Sequence, residues 1–245
     1  TSLKSVIFRT SLSSMPKYFY LLLSLASLLL TSCAEQYNID GKSSVSSLDG
    51  RMMYLRLTPD GFATVQTSTV CLDSCRMEHG RFSFDGDVDS VMMALLYSEG
   101  DCVMPVVLEN GKLSVQVDNV EQRVSGGPLN DKLYKFFREK NRLDNEIWEL
   151  HRKSMRMMYA GATPDDIDKA VGRHLAKLNR QSEDLDVQFV TENYDNPLGP
   201  GVFMLMCSQY PSPVMTTQIT RIVQAAPVEF LSNPFVKNYL QQARK

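Results

Sequence analysis

The hydrophobic pattern of this chain changes its period once, at Gly126-Gly127-Pro128, and this change constrains the fold more than any other feature. Before it, apolar residues form short runs about ten residues apart, whereas after it they recur every three or four residues. Short apolar runs at this spacing are typical of successive strands, and apolar residues three or four apart are typical of helices. The pattern therefore predicts an α+β protein, with an N-terminal antiparallel β-sandwich or barrel followed by a C-terminal helical region.

Turn residues separate the apolar runs of the first half. Asn110-Gly111 between two apolar runs predicts a two-residue hairpin, because type I′ turns need positive φ at both central residues. Leu113, Val115 and Val117 alternate with polar residues, which predicts a strand with one buried face and one face exposed to solvent. The clearest predicted strands are RMMYLRL (51–57), FATVQTSTV (62–70), RFSFDG (81–86), SVMMALLY (90–97), VMPVVLEN (103–110) and KLSVQVD (112–118).

The second half predicts a long antiparallel helical hairpin followed by short helices. Thr163-Pro164-Asp165-Asp166 carries an N-cap, a proline at the first helical position and acids near the positive end of the dipole. About five residues separate the two long helices, and further helices are expected near 201–209, 216–226 and 235–243. The two apolar stripes are Leu133, Phe136, Lys140, Leu143, Ile147, Leu150, Ser154 and Met157, then Ile167, Val171, Leu175, Leu178, Ser182, Leu185 and Phe189.

The N-terminal segment has the order of an export signal. Lys17 precedes an uncharged apolar run, Tyr18–Leu30, which is too short to span a bilayer as a helix. The sequence Leu30-Thr31-Ser32-Cys33 then resembles the bacterial lipobox, in which the cysteine is lipidated and becomes the first residue of the mature protein. Met15 is the expected true start.

These features predict four segments. Residues 1–32 are the signal peptide, 33–35 the lipidated N-terminus and tether, 36–127 the β-sandwich domain and 128–245 the helical domain. Removal of residues 1–32 takes away three cations and no acid, so the net charge changes from −2 to −5. We expect an exported protein that is anchored to the membrane by its N-terminal lipid, at the periplasmic face or the outer membrane, and that does not bind nucleic acid.

The first half resembles an uncharacterised lipoprotein domain, number 4369 among domains of unknown function. The resemblance covers about 36–131, and its motifs are signatures of turns and strands. They are Tyr37-Asn38-Ile39-Asp40-Gly41, Asp49-Gly50-Arg51-Met52-Met53-Tyr54-Leu55, Leu72-Asp73-Ser74, Gly80-Arg81-Phe82-Ser83-Phe84-Asp85-Gly86, Leu108-Glu109-Asn110-Gly111 and Val124-Ser125-Gly126-Gly127-Pro128-Leu129-Asn130-Asp131.

In relatives of this type the domain commonly precedes a thioredoxin-like domain of the thiol-disulfide interchange or peroxiredoxin class. The resemblance therefore implies a Trp-Cys-x-x-Cys motif in such a second domain. This sequence lacks the motif, and its one tryptophan, Trp148, has no cysteine beside it. We expect the thioredoxin-like domain to be absent here.

Cys71 and Cys75 are weak candidates for redox chemistry. Residues four apart in an extended strand are separated by about 13 Å, whereas a disulfide needs Cα atoms within about 7 Å. The pair could close only if Asp73-Ser74 made a turn. Structural thiols, a disulfide and a redox pair all remain open.

No pattern indicates catalysis, a cofactor or a metal. The three histidines His79, His151 and His174 are scattered, and no metal-ligand, nucleophile-elbow or phosphate-loop spacing occurs. The basic, methionine-rich stretch 151–159 is interpreted as a helix end, where cations complement the dipole. A contact surface is the alternative, because methionine suits adaptable interfaces.

Three functions are consistent with these patterns. The first is a non-catalytic, lipid-anchored cell-envelope protein that acts as a binding or interaction module. The second is an accessory to thiol-disulfide exchange, through Cys71 and Cys75 or by docking a separate thioredoxin-like protein. The third is a carrier of a small ligand, with an apolar pocket between the two halves.

Overall fold

A computed structural model describes residues 35–57, 70–99 and 101–244 of the chain. The predicted signal peptide, the lipobox Leu30-Thr31-Ser32 and the lipidation site Cys33 lie outside the described residues. So does the predicted strand 62–70, except for Val70.

The described strands form two four-stranded sheets and no closed barrel. The order in sheet 1 is β4-β1-β7-β8, and the order in sheet 2 is β3-β2-β5-β6. All pairs are antiparallel except β1 with β7, which is parallel. The α+β prediction is confirmed, in its two-sheet form. The strands are β1 (Glu35–Ser43), β2 (Met52–Leu57), β3 (Val70–Arg76), β4 (Arg81–Val88), β5 (Met92–Ser98), β6 (Asp101–Leu108), β7 (Gly111–Val117) and β8 (Gln122–Ser125).

Strand β7 shows the alternation that the sequence predicts. Leu113, Val115 and Val117 are buried, whereas the residues between them are exposed. Ile39 of β1 and Phe84 of β4 pair across the same sheet and are also buried. One face of sheet 1 therefore belongs to the core.

The predicted hairpin at Asn110-Gly111 is wrong. Strand β6 ends before it in sheet 2, and β7 begins after it in sheet 1, where it pairs with β1 and β8. Gly111 does adopt a positive φ of 104°. Asn110 does not share this positive φ, which a type I′ turn would require at both central residues. A glycine with positive φ serves a crossing between sheets as well as a hairpin turn, so the glycine signal does not identify the partner strand.

The helical region follows β8, and its first two long helices form the predicted hairpin. Phe136 stacks on Phe189 with ring centroids 4.2 Å apart, and Lys140 lies 3.3 Å from Asp186. These contacts fit antiparallel helices. The helices are α1 (Pro128–Tyr159), α2 (Pro164–Ile167), α3 (Arg173–Thr191), α4 (Leu198–Cys207), α5 (Thr217–Ala225), α6 (Val228–Ser232) and α7 (Pro234–Ala243), with a π-helical segment (Asp168–Gly172) between α2 and α3 and a 3₁₀ turn (Ser46–Leu48) after β1.

The predicted start of the second long helix is confirmed in detail. The Thr163 side chain accepts a hydrogen bond from the Asp166 backbone N–H, and the Asp166 carboxylate accepts one from the Thr163 N–H. This reciprocal pair is a capping box. Of the described helices, none is both long enough and apolar enough to cross a membrane.

Helix α1 is held against the edge strand β6 by the side chain of Asn130, which is fully buried. Its amide oxygen accepts a hydrogen bond from the Val107 N–H at 2.9 Å, and its amide nitrogen donates to the Val107 carbonyl at 2.7 Å. An edge strand presents unpaired backbone groups, which natural proteins must cover. Asn130 covers them by offering one donor and one acceptor, as a neighbouring strand would.

Glu109 completes this junction from the end of β6. Its buried carboxylate accepts hydrogen bonds from the backbone N–H groups of Leu129 and Asn130 at 3.0 and 2.9 Å, and from the Asn130 side chain at 2.9 Å. A carboxylate is favourable there because it satisfies free N–H groups at the positive end of the helix dipole. A Cβ at Gly127 would lie 2.2 Å from this carboxylate, so a side chain at position 127 would displace Glu109 from these hydrogen bonds. We call Glu109 and Asn130 the junction pair.

Replacing Asn130 with alanine tests the junction. Asn130→Ala leaves the Val107 N–H without a partner. It also removes one donor each from the Val107 carbonyl and the Glu109 carboxylate, which keep their bonds to backbone N–H groups. We therefore expect the free energy of unfolding to fall by about 2 kcal/mol. Urea unfolding followed by circular dichroism measures the change. Asn119→Ala, at an exposed turn position, is the matched control. A loss below about 0.5 kcal/mol, no larger than a typical surface substitution, would contradict this role for Asn130.

Candidate ligand-binding site

A cavity of about 990 Å³ lies between sheet 2 and the helices that follow α3, and it opens to the surface. Its walls come from parts of the chain that are far apart in sequence. The strand side is formed by Leu57, Val91, Met92, Met93, Leu95, Tyr97 and Cys102, and the helical side by Tyr194, Asp195, Asn196, Pro197, Pro200, Gly201, Met204, Leu205, Ser208, Pro227, Glu229, Phe230, Asn233 and Phe235.

Strand β5 separates the cavity from the interior of the sandwich. Ala94 and Leu96 are almost completely buried in the core, whereas Met93 and Leu95, which alternate with them, line the cavity. This follows from the period of a strand, whose successive side chains point to opposite faces. The continuous apolar run of β5 is thus explained by burial on both faces.

Helix α4 approaches β5 closely because it carries glycine where the two elements meet. A Cβ at Gly201 would lie 2.4 Å from the methyl carbon of Met93. The start of the helix is fixed by Asn196, whose side-chain oxygen accepts a hydrogen bond from the Leu198 N–H at 3.0 Å. The Asn196 hydrogen bond and the close contact at Gly201 therefore position the helical side of the cavity.

The polar side chains of the wall largely serve the fold. The Tyr194 hydroxyl donates to the Ile222 carbonyl at 2.6 Å. The Asn233 side chain caps α7 by accepting from the Phe235 N–H at 3.0 Å. Since these groups have partners in the protein, what remains for a ligand is an apolar wall that contains Met92, Met93 and Met204.

Charge is confined to few residues at this site. Asp195 and Glu229 are exposed acids among the lining residues, which include no lysine or arginine. Arg56 lies beside the wall, with its guanidinium carbon 5.0 Å from the centre of the Tyr97 ring and 4.6 Å from that of Tyr54. This cation is therefore held by aromatic faces.

Cys102 lies in the wall and is reachable from solvent. Neighbouring groups partly exclude water from the thiol and so raise its pKa, and a hydrogen bond with Tyr97 partly offsets this effect. Cys207, behind the wall, is fully buried, and burial raises its pKa to about 12. Both thiols are poor nucleophiles at neutral pH because the thiolate is the reactive form.

Cys71 and Cys75 do not belong to this cavity. Both lie in β3, opposite Arg56 and Met53 of β2, and both are free thiols. The pairing register shifts by one residue at Leu72, yet the strand continues through Asp73-Ser74 rather than turning back. Burial raises the pKa of Cys75. This arrangement offers no activated thiol at Cys75.

None of the three histidines lines the cavity. His79 occupies a turn with a positive φ of 52°, and His151 and His174 are exposed on the helical hairpin. Within the described ranges, no three His, Cys, Asp or Glu side chains are grouped as a metal site would require.

Residues 37–133 match the model of a protein family described as Domain of unknown function (DUF4369). This match confirms the resemblance stated from the sequence. It covers both members of the junction pair, Glu109 and Asn130, and ends shortly after helix α1 begins. No curated protein matches the chain.

Sequence reasoning suggested an apolar pocket between the two halves but named none of its residues. Met92-Met93 and the Pro200-Gly201 step were the available signals. Alone they are indistinguishable from core and turn residues, because their role depends on the packing of α4 against β5.

Proposed function

We propose that this chain is a lipid-anchored protein of the bacterial cell envelope that acts as a non-catalytic binding module and holds a small apolar molecule in the cavity between sheet 2 and the helices. The cavity is the observation that carries the proposal. Its volume of about 990 Å³ falls at the upper end of the range of about 300–1,000 Å³ that is typical of small-molecule sites.

The wall chemistry supports an apolar ligand. Leucine, methionine, proline and aromatic side chains make up most of the lining, and the methionines can adapt their shape to an irregular guest. Burial of an apolar molecule removes its surface from water, which contributes about 25 cal/mol per Å². A charged group would find few partners inside the wall.

The order of the N-terminal signals supports the location. Lys17, the apolar run Tyr18–Leu30 and the lipobox that ends at Cys33 follow one another as in exported lipoproteins. Lipid on Cys33 would tether the folded part closely, since β1 begins at Glu35. The partner at this end of the chain is the membrane itself.

Protection of Cys102 tests the ligand site. The uncharged apolar dye N-phenyl-1-naphthylamine should slow alkylation of Cys102 by N-ethylmaleimide about fivefold or more, because a guest in the cavity covers the thiol. Mass spectrometry of the labelled peptides reports each cysteine separately. Cys71, which is exposed outside the cavity, is the internal control and should react at an unchanged rate.

A cavity-filling variant gives the matched comparison. Leu205→Trp places a larger side chain in the cavity and should abolish both dye binding and protection. Leu72→Trp makes the same change at a half-buried position of β3 outside the cavity and should bind like wild type. Equal protection of Cys71 and Cys102, or undiminished binding by Leu205→Trp, would refute the ligand site.

The lipid anchor is tested separately. Cys33→Ser removes the lipobox cysteine, which is the predicted site of acylation. The protein should therefore no longer incorporate radiolabelled palmitate and should move from the membrane pellet to the soluble fraction. Cys71→Ser is the control and should stay in the pellet. A Cys33→Ser protein that still sediments with membranes would contradict anchoring through this residue.

A further inference from the structure

The strand side of the cavity contains an apolar strip that follows β5. Val91, just before the strand, and Met93, Leu95 and Tyr97 within it alternate along the chain and all line the cavity. From Val91 to Tyr97 the strip is about 20 Å long, because a strand rises about 3.3 Å per residue. We call these four residues the β5 strip. Its shape fits a linear apolar chain that lies along the strand.

An acyl chain of the kind found in membrane lipids matches the length of the β5 strip. The hydrocarbon core of a bilayer is about 30 Å thick and contains two layers of chains, so one chain reaches about 15 Å. The strip can therefore hold such a chain extended, together with a small head group. The flexible side chains of Met92, Met93 and Met204 can adapt around it.

Arg56 lies at the edge of the cavity, toward the Tyr97 end of the β5 strip. It pairs with Leu95 in the ladder between β2 and β5. Its guanidinium carbon lies 5.0 Å from the centre of the Tyr97 ring and 4.6 Å from that of the Tyr54 ring. Since Leu95 and Tyr97 line the cavity, two aromatic rings hold a cation beside its apolar wall.

The guanidinium of Arg56 is available to a ligand. Among the described residues, no carboxylate pairs with it and no group accepts a hydrogen bond from it. By contrast, Arg51 pairs with Glu99 at 3.5 Å. Arg56 is also half-buried, so its cation is partly removed from water. A guanidinium in this state suits an anion, above all a carboxylate, which matches its planar fork of N–H donors.

The two acids of the lining are placed differently. Asp195 and Glu229 belong to the helical side of the cavity, and both are exposed. The Asp195 carboxylate also accepts a hydrogen bond from the Asn196 side chain at 3.1 Å. Exposed charges keep their water and are screened by salt, whereas the half-buried Arg56 is screened less. Arg56 is therefore the charge that selects the head group.

We propose that the cavity binds a long-chain fatty acid, whose tail lies along the β5 strip and whose carboxylate binds Arg56. This inference rests on the proposed function and names the class of its ligand. Burial of the tail supplies most of the affinity, and the charge pair fixes the direction of the chain. The carboxylate stays at the edge of the cavity, so it avoids the cost of burying an ion in an apolar interior.

Displacement of N-phenyl-1-naphthylamine tests the choice of head group. Decanoate, 1-decanol and decylamine share a linear ten-carbon chain and differ in charge. The full-length protein carries Cys33→Ser, so no detergent competes for the cavity. At neutral pH, decanoate should displace the dye at a concentration about tenfold or more below that of decylamine, because a charged hydrogen bond forms with the first and a like charge meets the second.

Substitution of Arg56 tests the residue itself. Arg56→Gln should weaken decanoate binding about tenfold or more and change decanol binding less than about twofold. Arg56→Lys keeps the charge but loses the planar fork, so it should fall between wild type and Arg56→Gln. Arg123→Gln, at an exposed position of β8 outside the cavity, is the matched control and should bind decanoate like wild type. Unchanged decanol binding also shows that Arg56→Gln folds.

The length of the ligand tests the β5 strip. Each CH₂ group that is buried along the strip should tighten binding about fourfold, so octanoate should bind about fifteenfold more weakly than decanoate. Equal affinities of octanoate and decanoate would show that the tail does not lie in the cavity, and would overturn the proposal.

The remaining outcomes separate this inference from the proposed function. Tighter binding of decylamine than of decanoate, or an Arg56→Gln protein that binds decanoate like wild type, would overturn the fatty acid while an apolar ligand site stands. Equal weakening of decanoate and decanol by Arg56→Gln would also exclude recognition of the carboxylate. If neither the dye nor any of the three ligands binds, the proposed function fails as well.

Discussion

The structure depends on the junction pair, Glu109 and Asn130, more than on any other interaction. A buried carboxylate and a buried amide are costly to remove from water unless their hydrogen bonds are satisfied. Here the carboxylate accepts the first free N–H groups of α1, and the amide replaces a missing strand along β6. Each group satisfies the other element's unpaired backbone, so neither the edge strand nor the helix start is complete without the other.

The cavity follows from this junction. It fixes the direction in which α1 leaves the sandwich, so the second long helix returns beside it and the later helices reach the outer face of sheet 2. Buried side chains from strands and helices accordingly form one continuous cluster. Glycine at position 201 keeps α4 close to β5. One polar contact thus positions the two sides of an apolar cavity.

Local features of this fold were predictable, and long-range pairings were not. The capping box at Thr163 and the solvent-exposed face of β7 follow from residues close in sequence. Their spacing alone decides which backbone N–H a side chain reaches and which face of a strand it occupies. The predicted hairpin at Asn110-Gly111 is wrong because the positive φ of a glycine does not determine which sheet the next strand joins. The cavity could not be assigned because its wall joins Leu57 to Phe235 through side chains that resemble ordinary core residues.

The methionine methyl groups provide the most direct measurement of the central claim, which is that the cavity holds an apolar molecule. In a ¹³C-methyl-methionine NMR titration with N-phenyl-1-naphthylamine, the signals of Met92, Met93 and Met204 should shift together and saturate. Met53 and Met77, fully buried in the sandwich, should not move. Shifts confined to Met155 and Met158, which are exposed on α1, or no saturable shift, would contradict the account.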